Sequence, residues 1–217
     1  MTKPPSHLPV TTYLDLRHLV ETSQFARDIS WSENIKEARD AEHFAGEAVW
    51  VIINSGMKHT VARLIHDRVE RAICEGRPVI EAFRHPGKAA AIEHIIDNRY
   101  ALFADFLAAA ERDRGDPKAP HVLAFCQSLP WIGGITKFHL AKNLGVDCAK
   151  PDVWLVRLAK VTGEDPHELC ARLARESGDR IATVDLVLWR CMARGWLKLD
   201  LEARTYWINR ASDEDGE

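Results

Sequence analysis

The chain has 217 residues, 46% of them hydrophobic and 28% charged, with a formal net charge of −3. That is enough apolar material for a real core, in one domain or in two closely packed ones. No apolar run has membrane-spanning length and the opening MTKPPSHLPV has no apolar signal segment, so the expectation is a soluble, intracellular protein of the cytoplasm, with no membrane partner. Five cysteines, Cys74, Cys126, Cys148, Cys170 and Cys191, are odd in number and widely spaced. They argue against a disulfide framework or a zinc ribbon and read as small buried residues in a reducing compartment. A net negative charge counts against nucleic acid as a partner, since backbone binding needs concentrated Lys and Arg. Distribution matters more than the sum. Part of the negative charge lies in an acidic tail at 212–217, expected to be disordered, whereas Lys118, Lys137, Lys142 and Lys150 form a modest basic patch with few acids nearby.

In chain order, residues 1–10 read as a flexible lead. Leu14, Leu16, Leu19, Val20 and Phe25 have near-helical spacing and predict a helix over Tyr13–Arg27. Ser30-Trp31-Ser32-Glu33 fits a capping box, with a helix following through Ala41. Ala45, Val49, Ile52 and Ile53 form the apolar stripe of one further helix, and Val61, Leu64, Ile65, Val69 and Ile73 that of the next. Asn54-Ser55-Gly56 separates the two. Helices are expected over Gly87–Asp97 and over Arg99–Arg112, the latter with Leu102, Phe103, Phe106 and Leu107 on one face. A loop rich in Gly, Pro and charge, RDRGDPKAP, leads to Pro120 and the helix HVLAFCQS.

The most informative stretch runs from Leu129 to Arg157, LPWIGGITKFHLAKNLGVDCAKPDVWLVR. Leu129-Pro130 ends one helix, because the residue before proline is pushed out of the α region. Gly133-Gly134 supplies the backbone freedom that a tight turn between helices demands. The next helix starts at about Ile135, and its first amides, with the two glycines, form a set of donors suited to a phosphate. Asp152 follows Pro151 and precedes the apolar run Val153, Trp154, Leu155, Val156 and Leu158, the ordinary place for a helix cap. Asp165-Pro166-His167-Glu168 opens a helix that stops at Gly178, and IATVDLVLWRCMARGWL is an apolar helix ending at Gly195. WLKLD and TYWIN close the chain as a small β-hairpin about Glu202-Ala203. No internal repeat is present.

The order of hairpin, helix, short loop and Asp-x-x-x-x-Arg-Leu resembles the helix-hairpin-helix DNA glycosylases, the superfamily of endonuclease III, the adenine glycosylase and the 8-oxoguanine glycosylases. The resemblance covers most of the chain from about Ala45 to Gly195 and is most specific in the hairpin and the aspartate. It implies an all-α, two-lobed fold: a helical barrel lobe over 46–148, a second helical lobe of 1–45 plus 149–217, and an active cleft between them. It implies that Asp152 is the catalytic carboxylate. Trp131, Ile132, Gly133, Gly134, Thr136 and Lys137 would hold the backbone of double-stranded DNA, with a monovalent cation on the hairpin carbonyls. Asn54, Met57 and Lys58 match the break that contacts the gap left by an extruded base; a plain inter-helix turn is the other reading. Trp154, Asp185 and Trp189 match the base pocket, with core packing as the alternative for both tryptophans. The implied protein is a monomer that excises a damaged or modified base.

Two departures refine the expectation. Bifunctional members carry a lysine that attacks the sugar; its matching position here is Ile135, and Lys137 points about 200° further round the helix. A monofunctional enzyme without lyase activity is therefore expected. The iron-sulfur branch would need four closely placed cysteines after Asp152, where only Cys170 and Cys191 lie, so no cluster is expected. No metal site is expected either. His139, Asp147 and Cys148 read as scattered residues, His167-Glu168 lacks the second histidine of a zinc-protease motif, and Ser55 has no evident base. Two other functions fit the same residues: a non-catalytic helix-hairpin-helix DNA-binding module, which has no need of Asp152, and a diverged enzyme of this fold that modifies bases by other chemistry.

Overall fold

Prolines, glycines and short acidic side chains set most of the helix ends in this chain. The computed structural model describes residues 7–114, 116 and 118–209; the acidic tail at 212–217 lies outside them. In chain order the described residues form α1 (Val10–Glu21), α2 (Ala26–Glu33), α3 (Ala41–Asn54), α4 (His59–Cys74), α5 (Val79–Ala82), α6 (Pro86–Asp97) and α7 (Arg99–Arg112). There follow α8 (Pro120–Ser128), α9 (Thr136–Asn143), α10 (Val153–Thr162), α11 (Pro166–Ser177), α12 (Ile181–Ala193), β1 (Leu197–Asp200) and β2 (Thr205–Ile208). The protein is thus all-α with one small antiparallel hairpin, in which Leu197 pairs with Ile208 and Asp200 with Thr205. No described helix is long and apolar enough to cross a membrane.

The chain divides into two compact units. One runs from Lys36 to Val146, and α3 is its axis. This helix buries Ala41, Phe44, Ala45, Ala48, Val49, Val51, Ile52 and Ile53, and leaves Glu42 and Gly46 exposed on its other face. It packs against α4, α6, α7 and α9. The Phe44 ring, fully buried, lies 5.9–6.2 Å from those of Phe103, Phe106 and Phe125. The helix α9 ends in a Schellman motif: Val146 donates to the Ala141 carbonyl and Gly145 to that of Lys142. Gly145, at φ +102°, also sits against the backbone of Glu37, and Ala38 donates to the Leu144 carbonyl. These contacts hold the lead into α3 on this unit.

The other unit joins the residues up to Ile35 with those from Asp147 onward, and α12 is its axis. It buries Ile181, Val184, Val187, Leu188, Cys191 and Met192 against α1, α2, α10, α11 and β1. The buried Tyr13 hydroxyl donates to Asp179 at 2.5 Å, and Arg17 links Asp179 to Glu33 and Glu21. Burial, aided by Asp179, pushes the Tyr13 phenol far above its usual range.

Several expectations from the sequence are corrected. The span Tyr13–Arg27 is not one helix: α1 stops at Glu21 and α2 starts at Ala26. Ser30-Trp31-Ser32-Glu33 is the last turn of α2 rather than a cap, and no helix runs from there to Ala41. Asp40 caps α3 instead, accepting from the His43 amide at 2.7 Å. The stripe of α4 is rotated. It buries Ala62, Ile65, Val69 and Ala72, whereas Val61 and Leu64 are exposed, so the small alanines take core positions that the larger residues were expected to fill. Leu107 likewise turns outward while Phe106 and Ala109 face the core. Cys74 is exposed, and the other four cysteines are buried.

Two measurements test this packing. An alanine Cβ at Gly145 would lie 2.6 Å from the Glu37 Cα, in a left-handed conformation that L-residues resist. Gly145→Ala should therefore cost about 2–4 kcal/mol in urea unfolding. Gly46→Ala, in mid-α3 with open space around it, should gain about 0.5–1 kcal/mol. Burial pushes the Glu47 carboxyl above the usual carboxylate range, although Asn143, at 2.8 Å, His43 and His66 pull it back. Such a group favours the fold below its unfolded pKa and loses that contribution as pH rises through its raised folded value. Glu47→Gln cannot ionise, so its urea midpoint should gain on wild type as pH rises from about 4 to about 8. Parallel profiles would contradict this.

Candidate active site

Asp152 is the N-cap of α10. Its Oδ1 accepts from the Trp154 and Leu155 amides at 2.9 and 3.1 Å. Its Oδ2 has no hydrogen bond among the described residues. Two backbone donors thus fix one oxygen and its negative charge, and leave the other free to act.

The loop that carries Asp152 is tied twice to α12. Asp147 accepts from the Ile181 and Ala182 amides at 3.1 and 2.9 Å, capping α12 from a distant part of the chain. The Lys150 amide donates to Asp185 at 3.2 Å. Asp185 is 3% exposed, so this carboxylate is a buried anchor for the 147–152 loop. Trp154 is half-buried, packs on the core of this unit and has the Arg157 guanidinium 5.6 Å from its ring. Trp189 is half-buried beneath Arg190, at 4.6 Å.

The hairpin belongs to the unit of Lys36–Val146. Its left-handed residue is not a glycine. Gly133 and Gly134 lie outside that region, and Trp131, at φ 66°, takes the conformation that the turn needs. A non-glycine residue there is strained, and its surroundings hold it in place. The benzo ring of Trp131 covers Gly87, where any Cβ would come within 2.5 Å of it, and His85 meets the ring edge-on at 5.1 Å. Even so, Trp131 remains 45% exposed. Ile132 is buried and anchors the turn. Thr136 folds back so that its Oγ1 accepts from the Gly133 amide at 2.7 Å. The amides of Gly134, Ile135 and Thr136 find no acceptor among the described residues, which leaves three successive donors at the start of α9. Lys137 lies beside them, its ammonium 2.7 Å from Gln127.

The turn after α3 is in the same unit. Asn54 and Met57 are half-buried and Lys58 is exposed. Gly56 is left-handed, and the Met57 amide donates to the Asn54 carbonyl. Lys88, which the sequence reading passed over, holds this turn through the Ile53 and Ser55 carbonyls. Its signal was present: Lys88 shares one helix face with Ala91, Ile92 and Ile95, all buried. Asp147 gave no comparable sign, since its partners lie more than thirty residues away.

Among the described residues one group has metal-ligand character, His66, Asp67 and Glu70 on α4, with donor atoms within 4.8 Å of one another. Asp67 and Glu70 are exposed, and His66 already lies 3.6 Å from Glu70. His139, Asp147 and Cys148 do not form such a group: Asp147 is a helix cap and Cys148 is buried. The chain matches no known family model, no curated protein and no solved structure.

A second aspartate in the same unit gives a control for the first. Asp165 caps α11 through Oδ1, accepting from the His167 and Glu168 amides at 2.8 and 3.3 Å, much as Asp152 caps α10. Alanine at either position should cost about 1 kcal/mol of stability and asparagine much less, as read from thermal or urea unfolding.

Proposed function

We propose that the protein is a monofunctional DNA glycosylase, which extrudes a damaged or modified base from double-stranded DNA and hydrolyses its bond to deoxyribose. The observation that carries this reading is the state of Asp152: one oxygen fixed by two amides, the other unbonded, on a loop tied twice to α12. Hydrolysis breaks the bond between C1′ and the base nitrogen. The base leaves with the electron pair and takes up a proton, and water supplies the hydroxyl that C1′ gains. Positive charge builds on the sugar as the bond breaks, and a fixed carboxylate stabilises it while orienting the attacking water.

Support also comes from the hairpin. Its three unpartnered amides and Lys137 form a donor set for a phosphate, which offsets the net negative charge of the chain. The carbonyls of Pro130, Trp131 and Ile132 accept no hydrogen bond among the described residues, so a monovalent cation there would meet oxygens not already in use. Asn54, Met57 and Lys58 are the second contact with the duplex, and Trp154 and Trp189 belong to the wall that reads the base; Asp185, expected there from the resemblance, is instead buried behind it and holds the 147–152 loop. Ile135 stands where a lyase would carry its lysine, so the product is an intact strand with an abasic site. A second reading, a binding module without catalysis, draws on Asp165: the same cap geometry occurs there with no chemistry attached.

The two readings separate in one experiment. Duplexes carrying oxidised, alkylated, deaminated or mismatched bases are incubated with wild type, Asp152→Asn and Asp165→Asn, and strand scission is scored before and after alkali. The glycosylase reading expects base release by wild type and Asp165→Asn, a fall of at least about a hundredfold in Asp152→Asn, and scission only after alkali. Binding of DNA by all three proteins with no release by any would leave the binding module.

A further inference from the structure

Lys88 is only 4% exposed and forms no ion pair among the described residues. Its ammonium donates to the Ile53 carbonyl at 3.1 Å and to the Ser55 carbonyl at 2.6 Å, with the Phe83 ring 5.9 Å away. The last carbonyls of α3 lack partners within the helix, and they carry the negative end of its dipole. Val51 and Asn54 find backbone donors in Ser55 and Met57; Ile53 and Ser55 are supplied by Lys88. Desolvation holds the ammonium below its usual pKa, so the position is costly for a lysine. Methionine would fill the same space at no such cost, but it would leave two carbonyls without donors.

The neighbours of Lys88 face the other loop. Gly87 accommodates the Trp131 ring, which a Cβ there would push aside, and His85, which caps α6 by accepting from the Lys88 amide, meets that ring with its edge. Within the four-residue segment His85–Lys88, His85 and Gly87 therefore touch the hairpin before α9 and Lys88 the turn after α3. We infer that the segment His85–Lys88 is a spacer that sets the turn of Asn54–Lys58 in register with the hairpin, and that Lys88 is its positioning residue. The inference rests on the DNA reading of those two loops. A duplex is stiff, so two contacts on it are made together only when the protein holds them at a fixed separation. A shift of about an ångström at one would forfeit it.

The test is Lys88→Met in the full chain, with two readouts. Hydrogen exchange of the Ser55–Lys58 amides should rise about tenfold while the interior of α7 is unchanged. The KM for a substrate duplex should rise about tenfold, with the single-turnover rate at saturating DNA within about twofold of wild type. Lys58→Ala should weaken binding in wild type and add little in the Lys88→Met background. A merely destabilised protein would lose active fraction at unchanged KM, and that result would overturn the inference, as would unaltered exchange at the turn or fully additive losses. Should Lys88→Met fail to fold, Gly87→Ala presses on the same spacer from the hairpin side and is expected to raise KM in the same way; an unchanged KM there overturns the inference. A wild type that binds no duplex ends the DNA reading and the purpose of the spacer together. Exchange at Ser55–Lys58 then decides only whether Lys88 clamps the turn.

Discussion

The loop from Asp147 to Asp152 depends on α12. This loop has no regular structure to hold it, yet it sets the position at which α10 begins. Asp147 answers the unpaired amides at the start of α12, and Asp185, one turn further along, takes the Lys150 amide. Both carboxylates are therefore used within the fold, and their combined effect is to fix where the Asp152 side chain starts. Asp152 in turn satisfies the first amides of α10. Three aspartates and three backbone segments, the start of α12, the loop at Lys150 and the start of α10, thus form a chain of dependence. Losing the first would affect the last.

In the unit of Lys36–Val146 the organising constraint is the burial of α3. A helix whose last turn is buried, as Val51, Ile52 and Ile53 are, cannot leave that end to water, and the end must be satisfied by whatever packs there. That requirement explains a lysine on the buried face of α6, a position at which apolar pattern alone would expect leucine or alanine. It also explains why the turn that follows α3 is ordered. The same economy shows at Gly145, whose missing side chain lets the lead of α3 pass close against the end of α9.

Much of this was legible in the amino-acid order. The helices α6, α7, α8, α10, α11 and α12 and the closing hairpin have clear punctuation in proline, glycine and aspartate, and their apolar spacing is regular. The N-terminal region was misread because Ser30 and Glu33 have capping-box spacing at the wrong end of a helix, while Asp40, the real cap, carries no glutamate three residues on. The α4 stripe was misread because the larger apolar residues suggested a face that the alanines occupy. At the candidate site, local order revealed Asp152 and the hairpin. Asp147 acts on a segment far away in sequence and spacing carries no trace of it, whereas the periodicity of α6 marks Lys88 as buried without showing what it holds. The conformation at Trp131 was hidden for another reason: two adjacent glycines looked sufficient to supply the bend, and the turn takes its left-handed residue two positions earlier.

That last feature ties two positions into one inheritance. Trp131 keeps an unfavourable backbone geometry and needs Gly87 beneath its ring. Glycine at position 131 would relax the backbone and at the same time free position 87 to carry a side chain. A side chain placed at 87 first would have to push the indole aside, whereas the change at 131 disturbs nothing at 87. The two positions are thus coupled in one direction more than in the other, and the easier route between the arrangements begins at the strained residue.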